Sequence, residues 1–286
     1  MSKKQKGSLL FVPSGGMANR MRSIASAVTL AQAIDSRLQV VWFQDWALGC
    51  PFREVFMPGT LPLREATVTD LLIYDRARRR NLWLPALPQR LLFSRRLHEE
   101  DIWTLMTQQF DFASWARDKR CYMSDYMDFF PYDSHLLHQL FVPIEAVSSA
   151  VDRYRDRLAG GHAIGIHIRR TDHVISIEKS PTSLFVDKIK EEIDRHADTK
   201  VFLATDSNDV KHELTGIFGQ RIITPEAEAR RDGVEGIRGG VVDMYTLAST
   251  TKIYGSQGST FSKMASRLGN IELWMLERDG ESLFTY

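Results

Sequence analysis

Apolar residues near the start of the chain alternate between short continuous runs and helical spacing. Residues 9–12 and 38–43 are largely apolar runs of strand length, and the first is stopped by Pro13, Ser14, Gly15 and Gly16. Between them, residues 19–34 place apolar side chains three or four positions apart, as in an amphipathic helix. A strand, a glycine turn, a helix and a second strand form a βαβ unit, so this pattern predicts a parallel sheet.

The second half of the chain repeats this alternation. Strands are predicted at residues 163–168, 201–204, 221–223, 252–254 and 271–276, and helices at residues 143–158, 183–196 and 242–249 and from residues 208 and 260. Such alternation is typical of a doubly wound α/β domain. Residues 47–141 contain several prolines and have poor periodicity, which predicts short helices and long loops.

Length and composition fit this interpretation. The 286 residues suffice for two domains of ordinary size, and we expect an N-terminal domain at residues 1–145 and a C-terminal domain at residues 146–286. Hydrophobic residues make up 43% and charged residues 26% of the chain, as in folded globular proteins. The formal net charge of +1 provides no overall attraction to nucleic acid or to a membrane.

The cysteines and the N-terminal residues indicate the cellular compartment of the protein. Cys50 and Cys121 are the only cysteines, and we expect two free thiols, with a disulfide as the alternative. The apolar stretch at residues 9–13 is too short for the core of a signal peptide or for a bilayer span. These features predict a cytoplasmic protein.

The most informative motif follows the strand predicted at residues 163–168. It reads His167, Ile168, Arg169, Arg170, Thr171 and Asp172. Strand alternation places His167 and Arg169 on one face. A buried arginine needs an anionic partner, and one guanidinium can bind two phosphate oxygens at once. The motif therefore predicts a phosphate site, and the alternative is that Arg169 pairs with Asp172 to brace the loop.

Two further turns follow predicted strands, at the sheet edge where open α/β sheets bind ligands. The glycine turn that leads into Asn19 lets backbone amides approach an anion or a hydroxyl closely, or else it is only a tight connection with Asn19 near the helix cap. The turn after residues 201–204 contains Asp206 and Ser207, which either contact a ligand or cap the next helix.

A third turn, residues 255–262, contains two glycines and four hydroxyl side chains. Such a turn predicts an anion-binding nest, with a capped helix start as the alternative. Asp243, shortly upstream, either accepts both ring hydrogens of a guanine or is a favourable charge at the start of a helix. Walker-type, paired-histidine and Ser-His-Asp motifs are not evident in the sequence, and no metal site is predicted.

Together these motifs resemble those of the GDP-fucose-dependent fucosyltransferases, which include α-1,6, α-1,2 and protein O-fucosyltransferases. Four segments resemble the α-1,6 branch in order and spacing: residues 164–172, 201–206, 238–243 and 256–262. The turn that contains Gly15, Gly16 and Asn19 resembles the corresponding turn of the other two branches. The resemblance implies a GT-B-like pair of Rossmann-type domains with the donor in the cleft. It also implies an inverting, metal-independent transfer of L-fucose from GDP-fucose to a glycan hydroxyl, without a further cofactor.

The resemblance also implies roles for individual residues. Arg169 and Arg170 are expected to hold the β-phosphate, and Asp243 with His167 to face the guanine. The other donor-site positions implied by the matching turns are Gly16, Asn19, Asp206, Ser259, Thr260 and Phe261.

The chain departs from the α-1,6 pattern at the catalytic glutamate, whose position falls on Ile177. His173 also replaces a lysine of that family. The neighbouring Glu178 is our candidate base, with Asp172 as the second candidate, and the linkage stays open.

A segment that begins at Arg76 and ends at Arg96 contains seven arginines around an apolar centre. Pro85 and Pro88 prevent one continuous helix. The segment is either an irregular loop packed on its domain or a docking surface for an anionic, lipid-linked acceptor at the inner membrane face.

Three rival functions remain open at this stage. In the first, the enzyme uses a GDP-sugar other than GDP-fucose as its donor. In the second, the chain binds a nucleotide or a glycan without turnover. Nucleic-acid binding is disfavoured, because the chain is nearly neutral and lacks stacking aromatics interleaved with its arginines.

Overall fold

The computed structural model describes residues 7–73, 86–171, 174–225 and 233–284. The chain divides into two compact units, Met1–Val142 and Pro143–Tyr286. Each unit is built on one mainly parallel sheet with helices, so the predicted α/β class is confirmed. Residues 76–85, Asp172 and His173, which carry predictions made above, lie outside the described residues. Within the described part of the chain, the helices are too short or too polar to cross a bilayer.

The first unit contains five parallel strands in the order β3-β2-β1-β5-β4. Its elements in chain order are β1 (Ser8–Pro13), α1 (Met17–Ala33), β2 (Arg37–Trp42), β3 (Leu63–Glu65), α2 (Ala86–Leu92), β4 (Arg95–Leu97), α3 (Glu99–Thr107), α4 (Phe112–Ala116), β5 (Arg120–Asp125) and α5 (His135–Leu140), with short 3-10 helices at Phe52–Glu54 and Val68–Leu72. The predicted β1-α1-β2 unit is confirmed.

The short helices predicted at residues 47–141 are confirmed, but the sequence did not predict the strands of this region. This region also supplies the three strands β3, β4 and β5, and β5 pairs with all six residues of β1. Polar Ser124 and Asp125 end β5, and they interrupt the apolar run that would mark a buried strand. The pairing with the apolar strand β1 overrides this weak local signal.

The second unit contains six strands in the order β11-β10-β9-β6-β7-β8, and only the β10–β11 pair is antiparallel. Its elements are α6 (Glu145–Leu158), β6 (Ala163–Ile168), α7 (Val174–Lys179), α8 (Thr182–Arg195), β7 (Lys200–Thr205), α9 (Asn208–Phe218), a 3-10 turn at Gly219–Arg221, β8 (Ile222–Ile223), α10 (Gly233–Ala248), β9 (Lys252–Ser256), α11 (Thr260–Gly269), β10 (Glu272–Glu277) and β11 (Gly280–Phe284).

Most predicted elements of the second unit are confirmed to within two residues, but two predictions are wrong. The strand predicted at residues 271–276 forms as β10, but it is not the final strand. The chain turns at Gly280 and adds β11, whose exposed side chains give little apolar signal. The helix predicted at residues 242–249 begins at Gly233. Gly239 and Gly240 disfavour a helix by about 1 kcal/mol each, but buried Ile237 and Val241 on either side of the pair anchor it.

Alternation between strand and helix builds the core of the second unit. Ile164, Ile166 and Ile168 of β6 are fully buried, and they pack in one cluster with Phe185 and Ile189 of α8. The four-residue spacing of the α8 pair keeps both side chains on the helix face that meets the sheet. This packing fixes the end of β6, where the arginine motif begins.

The expectation of free thiols is confirmed, since Cys50 and Cys121 are both buried free cysteines. Burial raises the pKa of the Cys121 thiol to about 11, so this group stays protonated and unreactive at neutral pH.

Two helical glycines provide a matched test of this packing. A Cβ on Gly269, at the end of α11, would overlap the carbonyl oxygen of Ala248, whereas a Cβ on Gly216 in α9 meets nothing within 4 Å. We expect Gly269→Ala to lower the free energy of unfolding by about 1–3 kcal/mol, because backbone must move. Gly216→Ala should raise it by up to about 1 kcal/mol. Urea unfolding measures both, and a stable Gly269→Ala protein would contradict the close approach of α11 to α10.

Candidate functional site

The carboxyl ends of three neighbouring strands bring the predicted site residues together in the second unit. Register pairs His167 of β6 with Gly255 of β9, and Ile168 of β6 with Thr205 of β7. The arginine motif, the Asp206 turn and the hydroxyl-rich turn therefore leave the sheet side by side. We call this region the carboxyl edge of the second sheet.

His167 is buried at this edge and is surrounded by the hydroxyl-rich turn. Its Nδ1 lies 2.7 Å from Ser262 Oγ and 3.2 Å from Ser259 Oγ, and its ring stacks on Phe261 with centroids 4.8 Å apart. Burial, together with the nearby charge of Arg169, lowers the pKa of His167 to about 3. The imidazole is therefore neutral at physiological pH and serves as a hydrogen-bonding group.

Close approach of α11 to β9 explains how this cluster forms. A Cβ on Gly255 would lie 2.7 Å from Ser262 Oγ and 3.1 Å from a methyl group of Leu273. Glycine therefore lets the first turn of α11 settle against the strand next to His167. Ser259 caps this helix by accepting a hydrogen bond from the Ser262 backbone N–H, so the expected capping role and the contact with His167 coexist. Thr260 follows as the first helical residue.

Arg169 lies at the end of β6 with its side chain 19% exposed. Its backbone N–H donates to Ser256 Oγ at 3.1 Å, and its guanidinium Nε lies 3.4 Å from Asp206 Oδ2. The alternative that Arg169 pairs with Asp172 stays a prediction, because Asp172 lies outside the described residues. The carboxylate that the structure places next to Arg169 is Asp206.

Asp206 organises the turn that carries the arginines. Its carboxylate accepts hydrogen bonds from the backbone N–H groups of Arg170 and Thr171 at 2.7 and 3.2 Å, and from Thr171 Oγ1 at 2.8 Å. Burial opposes ionisation of Asp206, but these hydrogen bonds and the Arg169 charge outweigh it and lower the pKa. Ser207, rather than Asp206, caps α9 through the Val210 N–H.

Arg170 braces the loop through its guanidinium. Its Nη1 donates to the Arg169 carbonyl at 2.9 Å, and its Nη2 donates to the Ser180 carbonyl at 2.8 Å and to Thr182 Oγ1 at 3.2 Å. Burial lowers the pKa of Arg170, although the guanidinium remains protonated. The two adjacent arginines therefore have different surroundings.

Asp243 lies in the second half of α10, so it is not a charge at the start of a helix, and that alternative is wrong. Its Oδ1 is buried and accepts no hydrogen bond from any described residue. Burial raises the pKa of Asp243 to about 7, and the charge of Lys211 on α9 only partly offsets this. Asp243 and His167 do not contact each other within the part of the chain that the structure describes, so their shared role stays a prediction.

The glycine turn of the first unit precedes α1, with Gly16 at the helix cap. Gly15 adopts a φ of +79°, which favours glycine, and Arg20 holds the turn by donating from Nε to the Gly15 carbonyl at 2.9 Å. Arg20 is fully buried and pairs with Asp45 at 2.9 Å. Asn19 Oδ1 is buried and has no hydrogen-bonding partner among the described residues.

Glu178 lies near the end of α7 and its side chain is exposed to solvent. Its backbone carbonyl accepts a hydrogen bond from Arg278 Nε at 3.0 Å. Ile177, at the position of the family glutamate, is 42% exposed. Both side chains are accessible to solvent, but only Glu178 carries a group that can accept a proton.

The sequence patterns missed three buried polar residues. Ser262 and Ser256 contact His167 and the Arg169 backbone, and their position within the hydroxyl-rich turn was the available signal. Asp125 ends β5 and is fully buried with neither carboxylate oxygen hydrogen-bonded to a described residue. It was missed because β5 was not predicted.

Three potential metal ligands lie at the opposite, amino-terminal edge of the second sheet. The ligand atoms of His162, Glu192 and His196 are within 4.8 Å of one another. Glu192 also accepts from the Tyr254 hydroxyl at 2.6 Å and lies 3.3 Å from Lys252 Nζ. Burial opposes ionisation of Glu192, but these contacts lower its pKa to about 2. The carboxylate is already neutralised by protein groups, so we assign this cluster to the stability of the fold.

The fold of this chain is similar to that of solved fucosyltransferases. NodZ alpha-1,6-fucosyltransferase soaked with GDP-fucose has a TM-score of 0.69 and 18% identity, over 98% of this chain and 99% of its own. NodZ from Bradyrhizobium has a TM-score of 0.66 at the same identity, over 98% of this chain and 99% of its own. A variant of Arabidopsis thaliana FUT1 in complex with GDP has a TM-score of 0.61 and 16% identity, over 96% and 71%.

No protein-family model matches the sequence, and no curated protein matches it either. The likeness to the solved structures, at 16% to 18% identity, shows the fold. This chain therefore has the GT-B-like α/β fold of fucosyltransferases that have been solved with GDP or GDP-fucose.

Proposed function

We propose that this protein is a glycosyltransferase that moves L-fucose from GDP-fucose to a hydroxyl of a glycan. The observation that carries the proposal is Arg169 at the carboxyl edge of the second sheet, held by Asp206 and Ser256 beside the neutral His167. A preorganised guanidinium at such an edge suits a nucleotide phosphate. The fold, shared with enzymes solved with GDP-fucose, supports the same donor.

Electrostatics explain how this geometry accelerates transfer. The acceptor oxygen bonds to the anomeric carbon of fucose while the bond from that carbon to the β-phosphate oxygen breaks, and the acceptor proton passes to a base. Negative charge grows on the departing GDP, and a fixed cation stabilises it more in the transition state than in the ground state. Because an arginine supplies this cation, we infer a metal-independent reaction, and by the family resemblance an inverting one.

The contacts support a division of labour between the predicted donor residues. Arg169 contacts the β-phosphate, whereas Arg170 and Asp206 shape and brace the turn on which Arg169 lies. The remaining predicted donor contacts come from His167, Ser259, Thr260, Phe261, Asp243, Gly16 and Asn19. On this proposal residues 146–286 form the donor domain and residues 1–145, apart from the donor contacts Gly16 and Asn19, form the acceptor domain.

The general base is Glu178 or Asp172. Glu178 is exposed at the end of α7, where a substrate can reach it. Glu178→Gln and Asp172→Asn keep side-chain shape and remove basicity. The variant whose kcat falls about tenfold or more with GDP binding unchanged identifies the base.

We also propose that the acceptor domain makes peripheral contact with an anionic membrane. Within the described residues, α2 exposes Leu87 and Leu91, which are 66% and 81% exposed, and Arg90 and Arg95 are exposed nearby. Exposed leucines flanked by arginines suit a lipid-linked acceptor. Co-sedimentation with anionic but not neutral vesicles at low salt tests this contact.

Removal of the Arg169 guanidinium should strongly reduce transfer. A charged partner of phosphate contributes about 1.5–3 kcal/mol, so Arg169→Ala should lower kcat/KM by about 10-fold to 150-fold or more. Arg195→Ala, which removes a 59% exposed arginine elsewhere in the unit, is the matched control. A GDP-release assay with GDP-fucose, run with EDTA, measures both. Wild-type turnover of Arg169→Ala, or loss of wild-type activity in EDTA, would reject the arginine mechanism.

Asp243 should select guanine in a pH-dependent way. With a pKa of about 7, this carboxyl is mostly protonated at pH 6 and ionised at pH 8, and only the ionised form accepts both guanine hydrogens. We expect thermal stabilisation by GDP to exceed that by ADP, UDP and CDP, and GDP affinity to rise from pH 6 to pH 8. Asp243→Asn should remove both effects. Equal stabilisation by all four diphosphates would show that Asp243 does not bind the guanine.

A further inference from the structure

Asp125 is a fully buried carboxylate at the end of β5, and neither of its oxygens accepts a hydrogen bond of ordinary geometry from a described residue. The neighbouring backbone N–H groups of Tyr126 and Met127 only partly offset its burial. A buried carboxylate without partners is among the costliest groups a fold can contain. A fold that retains one is compensated elsewhere, and such groups cluster at functional sites.

Asp70, in the same unit, shows how a structural buried carboxylate is arranged. Its oxygens accept from both terminal nitrogens of Arg64 at 2.6 and 2.8 Å, and from the backbone N–H and hydroxyl of Thr67 at 2.6 and 2.8 Å. Although burial opposes ionisation, these bonds lower the pKa of Asp70 to about 2. Burial, with a smaller contribution from Glu99, instead raises the pKa of Asp125 to about 7.

The charged and polar groups around Asp125 bond to other partners. Ser14, whose backbone N–H donates to the Asp125 carbonyl at 3.0 Å, directs its hydroxyl to Glu99 Oε2 at 3.0 Å. Arg22 is the nearby cation, but its Nε donates to the Tyr126 carbonyl at 2.8 Å and its Nη1 to Asp128 at 3.3 Å. The carboxylate of Asp125 is therefore not neutralised by an ion pair.

A second buried acceptor lies in the first turn of α1, next to the glycine turn. Asn19 Oδ1 has no hydrogen-bonding partner among the described residues, and the Asn19 side chain covers Gly15, the residue after Ser14. Asn19 and Arg22 are three residues apart on α1, which places them on one helix face. Because Arg22 reaches Tyr126, that face is directed to the end of β5.

These observations define the chemistry of a ligand. The unpaired atoms, two from Asp125 and one from Asn19, are all hydrogen-bond acceptors. Acceptors repel phosphate and bind donors, and a vicinal pair of hydroxyls supplies donors at the required density. We propose that Asp125 and Asn19 form a subsite at the end of β5 that binds sugar hydroxyls. The subsite deepens the proposed function and rests on it, because a fucosyl donor and a glycan acceptor both present such hydroxyls.

A stability experiment tests whether Asp125 is kept for a ligand. With its pKa raised on folding, Asp125 reduces stability progressively as pH rises from about 4 to about 7. Asp125→Asn in the full chain should therefore raise Tm at pH 8 by about 4 °C or more, with a smaller difference at pH 5. Asp70→Asn, the matched control, should lower Tm at pH 8. A lower Tm of Asp125→Asn at pH 8 would show a structural carboxylate and overturn the proposal.

A binding experiment tests the ligand and separates its two sources. Saturation-transfer NMR of the GDP-loaded protein with free L-fucose, N-acetylglucosamine, galactose and glucose reports acceptor-type binding. The extra thermal stabilisation by GDP-fucose over GDP reports the donor sugar. Asp125→Leu should abolish one of these signals, while stabilisation by GDP itself stays at the wild-type value. Asn19→Ala should abolish the same signal as Asp125→Leu.

The outcomes are distinguishable from failure of the proposed function. Loss of the monosaccharide signal assigns the subsite to the acceptor, and loss of the GDP-fucose increment assigns it to the donor sugar. Either result supports the proposal. If both signals persist in Asp125→Leu, or if the wild-type protein shows neither, the subsite is rejected. Absence of any GDP stabilisation of the wild-type protein would instead reject the proposed donor.

Discussion

The hydrogen bonds accepted by Asp206 are the interaction on which the arginine turn depends. One carboxylate, supplied by the end of β7, binds two consecutive backbone N–H groups and a hydroxyl of the turn that follows β6. The same group lies beside Arg169 Nε. The turn is thereby formed before any ligand arrives, and Arg169 loses little freedom on binding an anion. Preorganisation of this kind is what electrostatic stabilisation of a transition state requires.

Buried carboxylates in this protein divide into two kinds with opposite energetics. Glu192 and Asp70 are surrounded by donors and cations, so their pKa values are lowered and they stabilise the fold when ionised. Both carboxylate oxygens of Asp125 and Oδ1 of Asp243 accept no hydrogen bond of ordinary geometry from a described residue, and burial raises the pKa values of both groups to about 7. The second kind costs stability at neutral pH. The direction of the pKa shift therefore distinguishes candidate binding carboxylates from structural ones better than burial alone does.

Much of the second unit and its candidate site could be predicted from the sequence. The apolar runs and helical spacings there are uninterrupted, so β6, β7, β9 and α8 are identified by period alone. The site residues follow, because parallel strands end at one edge and the residues after them must converge. In residues 47–141 the period fails. The strands there, β5 among them, are short or carry polar residues, and their pairing partners are distant in the chain.

The sequence by itself determined the α/β class, the position of the arginine motif and the chemistry of its neighbours, since these follow from local period and residue type. Tertiary structure decided that the two adjacent arginines have different partners, because Ser180 and Thr182 accept hydrogen bonds from Arg170. It also decided that His167 is neutral and that no cation within the described ranges forms an ion pair with Asp125. Burial and hydrogen-bond partners are properties of the packed chain, and no local pattern encodes them.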